Sequence, residues 1–213
     1  MDERDYKRFI HDLYEFNDVN PALNMWYLFK NSDVGRHYQK ERVGREPLVD
    51  VLAFALMPNH YHLMVQVRND DIGAISLFMK KMNGGYARYF NEKHQRKGTL
   101  FQSRYKAVAV TSEAHFIHLP YYIHLNPLDL RYKEWRERTL RSPQKAWEYL
   151  LGYRWSSHLD YLGKHNYPSV TNRTFLLDCF GDEKEYAERF KTWLAELEPT
   201  KTLGENMKGV LLE

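Results

Sequence analysis

Residues 48–67 read LVDVLAFALMPNHYHLMVQV, and this stretch carries most of the information about the fold. Its first half, residues 48–57, is predominantly apolar and β-prone and stops at Pro58-Asn59. Its second half alternates from Tyr61 to Val67. Two such runs separated by a proline turn are typical of an antiparallel hairpin. We therefore predict two paired strands, with residues 60–62 at the opening of the second.

The segments on both sides of the hairpin have apolar side chains at helical spacing. This spacing predicts one helix over residues 5–17 and a longer one over residues 72–92. The longer helix contains Gly84-Gly85, a pair that costs roughly 1 kcal/mol per glycine relative to alanine. We expect the close approach of a backbone or ligand to compensate. Residues 99–110 are interpreted as a strand with a loop inside it.

The second half of the chain is predicted to be helical. Thr111 or Ser112 can cap a helix that ends before Asn126-Pro127. A charged connector to about residue 141 precedes short helices around Trp147, Leu159 and Phe175, and a last helix covers residues 183–197. The predicted fold class is α+β, with one domain over residues 1–135 and a helical C-terminal region over residues 136–213.

Composition excludes several classes of protein. Apolar residues make up 43% of the 213 residues and aromatic residues 15%, which is enough to bury a core. The longest apolar run, residues 51–57, is far shorter than the roughly 20 residues that span a bilayer. The charged N-terminus does not resemble a secretory signal, and the single Cys179 excludes an intrachain disulfide or a cysteine-based zinc site. We therefore expect a cytoplasmic protein that does not associate with a membrane.

Positive charge is concentrated in one segment, although the whole chain carries a formal charge of only +3. Residues 79–106 hold eight basic side chains against one acidic side chain, interleaved with aromatic rings. Cations for phosphates and rings for unstacked bases are the ingredients of a nucleic-acid surface. The alternative is a solvated helix face with core aromatics. The candidate DNA-binding residues are Lys80, Lys81, Arg88, Lys93, Arg96, Lys97, Arg104 and Lys106.

Two constellations could carry chemistry. On a strand, His60 and His62 would project from the same face, at a separation suited to one divalent metal, unless they are two unrelated surface histidines. On the helix before Pro127, Tyr122 and Asn126 lie one turn apart, so that a phenol nucleophile and an amide ligand could meet one target. The alternative for Tyr122 is a half-buried aromatic residue with a hydrogen-bonded tip.

The two constellations are chemically complementary. A tyrosine hydroxyl is only about 0.1% ionised at neutral pH, so it attacks phosphorus poorly unless a cation neutralises the phosphate oxygens. A metal held by the two histidines and the amide would supply that cation.

Five blocks of the sequence carry a resemblance to a known family. They are residues 57–65 (MPNHYHLMV), 84–91 (GGYARYFN), 100–106 (LFQSRYK), 122–127 (YIHLNP) and 153–157 (YRWSS). In this order the chain resembles the single-tyrosine HUH transposases over about residues 5–163. It is most similar to the insertion-sequence-200-like branch that includes the transposases associated with repetitive extragenic palindromes.

The resemblance implies a ferredoxin-like catalytic domain, with an antiparallel sheet and helices packed on it, that binds single-stranded or hairpin DNA. It places the metal ligands at His60, His62 and Asn126 and the nucleophile at Tyr122. Such enzymes use Mg²⁺ or Mn²⁺ and no nucleotide cofactor. They cut one strand through a 5′-phosphotyrosine, release a 3′-hydroxyl and reverse the step to join strands.

The chain departs from the family pattern at its start. Relatives carry a strand ahead of the first helix, whereas that helix begins here at residue 5, so we expect the first strand to be missing and another segment or a second chain to fill the sheet edge. A truncated or domesticated protein that binds DNA or RNA hairpins without cutting them is the main alternative. A metal hydrolase that uses a bound water is a third. The active unit is a monomer or a homodimer, associated with the nucleoid when it is bound to DNA.

Overall fold

The computed structural model describes residues 1–21 and 45–197. These residues form seven α-helices, two 3₁₀ helices and one two-stranded antiparallel sheet, in agreement with the predicted α+β class. The ferredoxin-like arrangement stays a prediction. The elements in chain order are α1 (Glu3–Glu15), β1 (Val49–Leu56), β2 (Tyr61–Val67), α2 (Ile72–Lys93), α3 (Glu113–Leu125), the first 3₁₀ helix (Asn126–Leu130), the second 3₁₀ helix (Lys133–Glu137), α4 (Pro143–Gly152), α5 (His158–Tyr161), α6 (Thr174–Phe180) and α7 (Glu183–Glu196).

The hairpin forms as predicted. The turn is closed by the backbone N–H of Met57, which donates to the carbonyl of His60 at 2.8 Å, and β2 begins at the next residue. The helices predicted from periodicity and capping are also confirmed, with ends shifted by a few residues. Ser112 caps α3, since its side chain accepts from the backbone N–H of His115.

The predicted strand over residues 99–110 is wrong. Residues 102–110 are exposed and belong to no strand, and the side chain of Val108 is 82% exposed. The β-prone residues of this segment favour an extended backbone, but a strand also needs a neighbour to satisfy its peptide groups. Residues 102–110 have no backbone partner among the described residues.

The described residues divide into two compact units. Among them, unit one contains residues 1–21, 45–51 and 65–108, and unit two contains residues 52–64 and 109–197. The predicted domain boundary near residue 135 stays a prediction.

In unit one, α1 packs against α2. Asp2 and Asp5 form a capping box that starts α1, and its buried face includes Phe9, whose ring meets that of Tyr86 edge to face at 4.9 Å. The close approach expected at the glycine pair is found at Gly85 alone, where an added Cβ would collide with the ring of the α1 C-cap residue. Nothing lies within 4 Å of a Cβ built on Gly84.

Unit two closes one edge of β1 with a segment from the C-terminal region. The backbone N–H of Leu56 donates to the carbonyl of Trp155 at 2.8 Å, and the N–H of Ser157 donates to the carbonyl of Phe54 at 3.0 Å. The hydroxyl of Tyr161 adds a bond to a β1 carbonyl at 2.6 Å. Another segment of the same chain therefore covers part of this strand edge, while the absence of a first strand stays a prediction.

A buried polar network links α3 to α5 and α7 within unit two. The Nδ1 atoms of His124 and His158 lie 2.7 Å and 3.0 Å from the hydroxyl oxygen of Tyr186. The Nε2 atom of His124 lies 2.7 Å from the hydroxyl of Ser157, beside β1. Burial lowers the pKa of His158 to about 3 and holds the pKa of His124 well below its usual value. Both rings are therefore neutral in the folded protein.

Candidate active site

The turn and the opening of β2 bring two imidazoles together. Because side chains two residues apart on extended backbone project to the same face, the rings of His60 and His62 lie side by side, with centroids 5.0 Å apart at an angle of 85°. The Nδ1 atom of His60 lies 2.8 Å from the amide oxygen of Asn59. An amide oxygen only accepts, so this contact places the proton on Nδ1 and leaves the Nε2 lone pair of His60 free.

Burial determines the protonation of both rings. Burial, together with the neighbouring His60 and the charge of Arg136, lowers the pKa of His62 to about 4. Burial also lowers the pKa of His60, in part offset by the carboxylate of Asp129. Near neutral pH both imidazoles are therefore uncharged, which is the form that binds a metal ion.

The end of α3 presents Tyr122 and Asn126 one turn apart. Asn126 is fully buried, and its amide Nδ2 donates to the backbone carbonyl of Tyr122 at 2.8 Å. This bond satisfies one of the carbonyls left open at the helix end. It also fixes the orientation of the side chain, since the amide nitrogen is committed to the helix and the amide oxygen points away from it.

The two constellations meet within unit two. The ring of Tyr122 packs edge to face against His62, with centroids 6.3 Å apart. Asn126 is tied to the backbone of Tyr122, so all four side chains predicted from the sequence lie around one site. The roles assigned to Tyr122, His60, His62 and Asn126 stay predictions.

Arg136 is a member of this site that sequence reasoning missed. It extends from the second 3₁₀ helix, where its Nη1 donates to the hydroxyl of Tyr122 at 3.1 Å and its Nη2 donates to the amide oxygen of Asn126 at 3.0 Å. Asp129 holds the guanidinium through two further bonds, Nε to Oδ1 at 2.8 Å and Nη2 to Oδ2 at 2.6 Å. The charged connector has no periodicity from which this contact could be inferred.

The carboxylate that holds Arg136 is itself anchored. The indole Nε1 of Trp135 donates to Oδ1 of Asp129 at 2.6 Å, and the guanidinium of Arg136 lies 4.8 Å from the centre of the Trp135 ring. The carboxylate of Asp129 raises the pKa of Arg136, which therefore stays charged at any pH of interest.

The donor atoms of this site suit a divalent metal. The Nε2 atom of His62 is buried and has no hydrogen-bond partner among the described residues, so it is an orphaned ligand atom. The free Nε2 lone pair of His60 and the amide oxygen of Asn126, which retains one lone pair beside Arg136, complete a set of two nitrogens and one oxygen. Among the described residues, no cluster of three or more histidine, cysteine or acidic side chains could hold a metal. Two imidazoles and one amide fill only part of the coordination shell of a divalent ion, so the residues present fit a cation that also takes water or phosphate ligands.

The predicted DNA-binding residues lie in unit one, and most of them are open to solvent. Lys80 and Arg88 project from α2, and the turn after this helix exposes Arg96 and Lys97. The guanidinium of Arg96 lies 5.7 Å from the centre of an α2 aromatic ring. Arg104 and Lys106 are exposed as well. These six cations are available to phosphates.

The remaining two members of the set, Lys81 and Lys93, are half-buried and engaged within unit one. Lys93 lies 2.7 Å from the carboxylates of both Asp2 and Asp5, the latter fully buried. Lys81 donates to the carbonyl of Asp18 and to a second backbone carbonyl close by. We therefore expect Lys93 to contribute to the stability of unit one more than to DNA binding.

Comparison with known proteins agrees with the resemblance seen in the sequence. The family model described as "Transposase IS200 like" matches residues 36–126, a range that includes His60, His62, Tyr122 and Asn126. No curated protein and no solved structure matches the chain. Among the helices of the described residues, none combines the length and the apolar character needed to cross a bilayer.

Proposed function

We propose that the chain cuts and rejoins single-stranded DNA through a tyrosine-linked intermediate, on the premise that residues 36–126 match the family model of the IS200-like transposases. One observation carries the proposal: the phenol of Tyr122 packs against His62 at 6.3 Å, beside a second imidazole and an amide. A nucleophile, two neutral imidazoles and an oxygen ligand are the parts that such a reaction requires.

In the proposed cleavage step, Tyr122 supplies the nucleophile. Its hydroxyl oxygen bonds to phosphorus and gives its proton to solvent, while the bond from phosphorus to the 3′-oxygen breaks. The departing 3′-oxygen takes up a proton and leaves as a hydroxyl. The product is a phosphate diester between the tyrosine and the 5′-end, so the reverse attack by a 3′-hydroxyl joins strands without a nucleotide cofactor.

His60, His62 and the amide oxygen of Asn126 would hold the Mg²⁺ or Mn²⁺ ion in this scheme. When bound, the ion supplies positive charge that neutralises the phosphate oxygens. The protein's own contribution is orientation: the amide nitrogen of Asn126 holds the end of α3, and the contact between Asn59 and His60 sets the tautomer. The exposed cations of unit one would bind the strand, single-stranded or in a hairpin.

The test is a covalent adduct. The protein is incubated with end-labelled DNA hairpins that carry single-stranded flanks and with Mn²⁺, and the mixture is separated under denaturing conditions. We expect a labelled protein band that Tyr122→Phe abolishes. Tyr149→Phe is the matched control, since this half-buried tyrosine of unit two has no described contact with the histidine pair.

The alternatives give different results. A protein that only binds hairpins would slow the migration of the labelled DNA in a native gel and form no covalent adduct. A hydrolase that uses a bound water would still cut the strand after Tyr122→Phe. Either result would refute the proposed function.

A further inference from the structure

The guanidinium of Arg136 has one donor left over at the nucleophile. An arginine side chain carries five N–H bonds, one on Nε and two on each terminal nitrogen. Asp129 accepts hydrogen bonds from the Nε–H and from one Nη2–H. Asn126 accepts from the other Nη2–H, and the hydroxyl of Tyr122 accepts from one Nη1–H. The second N–H of Nη1 has no acceptor among the described residues.

That remaining donor is suited to an anion. The side chain of Arg136 is 41% exposed, so an incoming group can reach it. Its Nη1 atom lies 3.1 Å from the hydroxyl oxygen of Tyr122. A phosphate that this oxygen attacks from the side of Arg136 therefore has a non-bridging oxygen within hydrogen-bond reach of the same nitrogen. Since Asp129 and the ring of Trp135 fix the guanidinium, the donor is held in place before the ligand arrives.

We propose that Arg136 is a further catalytic residue, which binds a non-bridging oxygen of the scissile phosphate beside Tyr122. This inference rests on the proposed function. The negative charge on the non-bridging oxygens is closest to the guanidinium while the bond from the tyrosine oxygen to phosphorus forms and the bond to the 3′-oxygen breaks. Arg136 neither gains nor loses a proton in the step. It stabilises the five-coordinate phosphorus through a charge-assisted hydrogen bond.

The pairing with Asp129 determines what Arg136 contributes. The carboxylate offsets most of the charge at long range, so the guanidinium adds little to the general attraction of the site for DNA. It binds one phosphate at short range and in one direction. We therefore expect its removal to affect the rate of adduct formation more strongly than the affinity for DNA.

The experiment compares Arg136→Ala and Arg136→Lys with the wild-type protein, and Arg141→Ala is the control because it removes an exposed arginine of the same unit. Single-turnover adduct formation is measured on the labelled hairpins with Mn²⁺. Arg136→Ala should slow it about a hundredfold. Arg136→Lys should slow it about tenfold, because an ammonium lacks the planar fork. Free guanidinium in solution should restore part of the rate of Arg136→Ala and leave the control unchanged.

Metal-free binding gives a readout that does not depend on activity. A labelled single strand of about 20 nucleotides, longer than one binding site, is titrated in EDTA. Arg136→Ala should weaken binding about threefold, and thermal unfolding should show that the variant remains folded. If Arg136→Ala forms the adduct at a rate within twofold of the wild type, the inference is overturned. It is also overturned if the variant is slow, guanidinium does not restore its rate and its binding of the single strand is unchanged.

The two proposals can fail separately. If the wild-type protein forms no adduct with any hairpin, the proposed function is refuted, and the metal-free titration alone then tests the phosphate contact. Unchanged binding would refute that contact too, whereas weaker binding would support it. If the wild-type protein forms the adduct and Arg136→Ala forms it equally fast, only the inference about Arg136 is refuted.

Discussion

Replacement of His158 by Asn should make the protein less sensitive to acid. His158 is fully buried, and its Nδ1 atom lies 3.0 Å from the hydroxyl of Tyr186. The amide nitrogen of an asparagine can occupy nearly the position of Nδ1 and donate to the same hydroxyl, but the amide cannot bind a proton. The substitution therefore removes one titrating group and retains part of the hydrogen bonding.

The magnitude follows from the two pKa values of this ring. In the unfolded chain the pKa of the histidine is near 6.5, whereas burial holds the pKa of native His158 at about 3. Between these values the unfolded state binds one proton more than the native state. Stability then falls with falling pH by up to about 1.4 kcal/mol per pH unit. From about pH 7.5 to about pH 5, this single ring costs about 2 kcal/mol of the free energy of unfolding.

The assay is urea unfolding of the wild-type protein and of His158→Asn at the two pH values, at constant ionic strength. The variant starts from a lower free energy of unfolding, since a smaller side chain leaves a cavity. Its loss on acidification should nevertheless be smaller than that of the wild type by about 2 kcal/mol. His165→Asn, at an exposed histidine, is the matched control and should lose as much as the wild type.

A difference in acid sensitivity below about 0.5 kcal/mol would contradict this reasoning, because it would mean that His158 takes up a proton in the native state. If His165→Asn reduced the acid sensitivity as much as His158→Asn, the effect would not come from the burial of His158.

Three further predictions concern unit one. Gly84→Ala should raise the free energy of unfolding by about 1 kcal/mol, since its added Cβ meets nothing within 4 Å. Gly85→Ala forces a ring to move, so its free energy of unfolding should be lower than that of Gly84→Ala by more than about 1 kcal/mol. Equal stabilities of the two variants in urea would argue against the close packing at Gly85. Lys93→Met should cost about 2 kcal/mol of stability because it removes the ammonium group that pairs with the buried carboxylate of Asp5, and a thermal midpoint equal to that of the wild type would count against this. Changing both Arg96 and Lys97 to Ala should leave the thermal midpoint unchanged and reduce the salt slope of single-strand binding by about 1.4, as measured by fluorescence anisotropy; an unchanged slope would remove both residues from the surface.

Long-range pairing explains where the sequence was misleading. Residues 99–110 have β-prone side chains, yet they form no strand, and residues 102–110 have no backbone hydrogen-bond partner among the described residues. Conversely, the residues that do pair with the edge of β1 lie at 155–157, about a hundred residues further along the chain. Nothing in the local pattern of either segment indicates its partner.

The sequence by itself determined the hairpin and the helices, because strand alternation, helical spacing and end caps act between residues only a few positions apart. The same local rules placed His60 beside His62, and Tyr122 one turn from Asn126. Only the tertiary structure brought the two pairs together and added Arg136, since that contact depends on how a connector without periodicity folds back beneath the end of α3. Contacts between distant segments depend on the packing of the whole unit, and a one-dimensional pattern does not encode them.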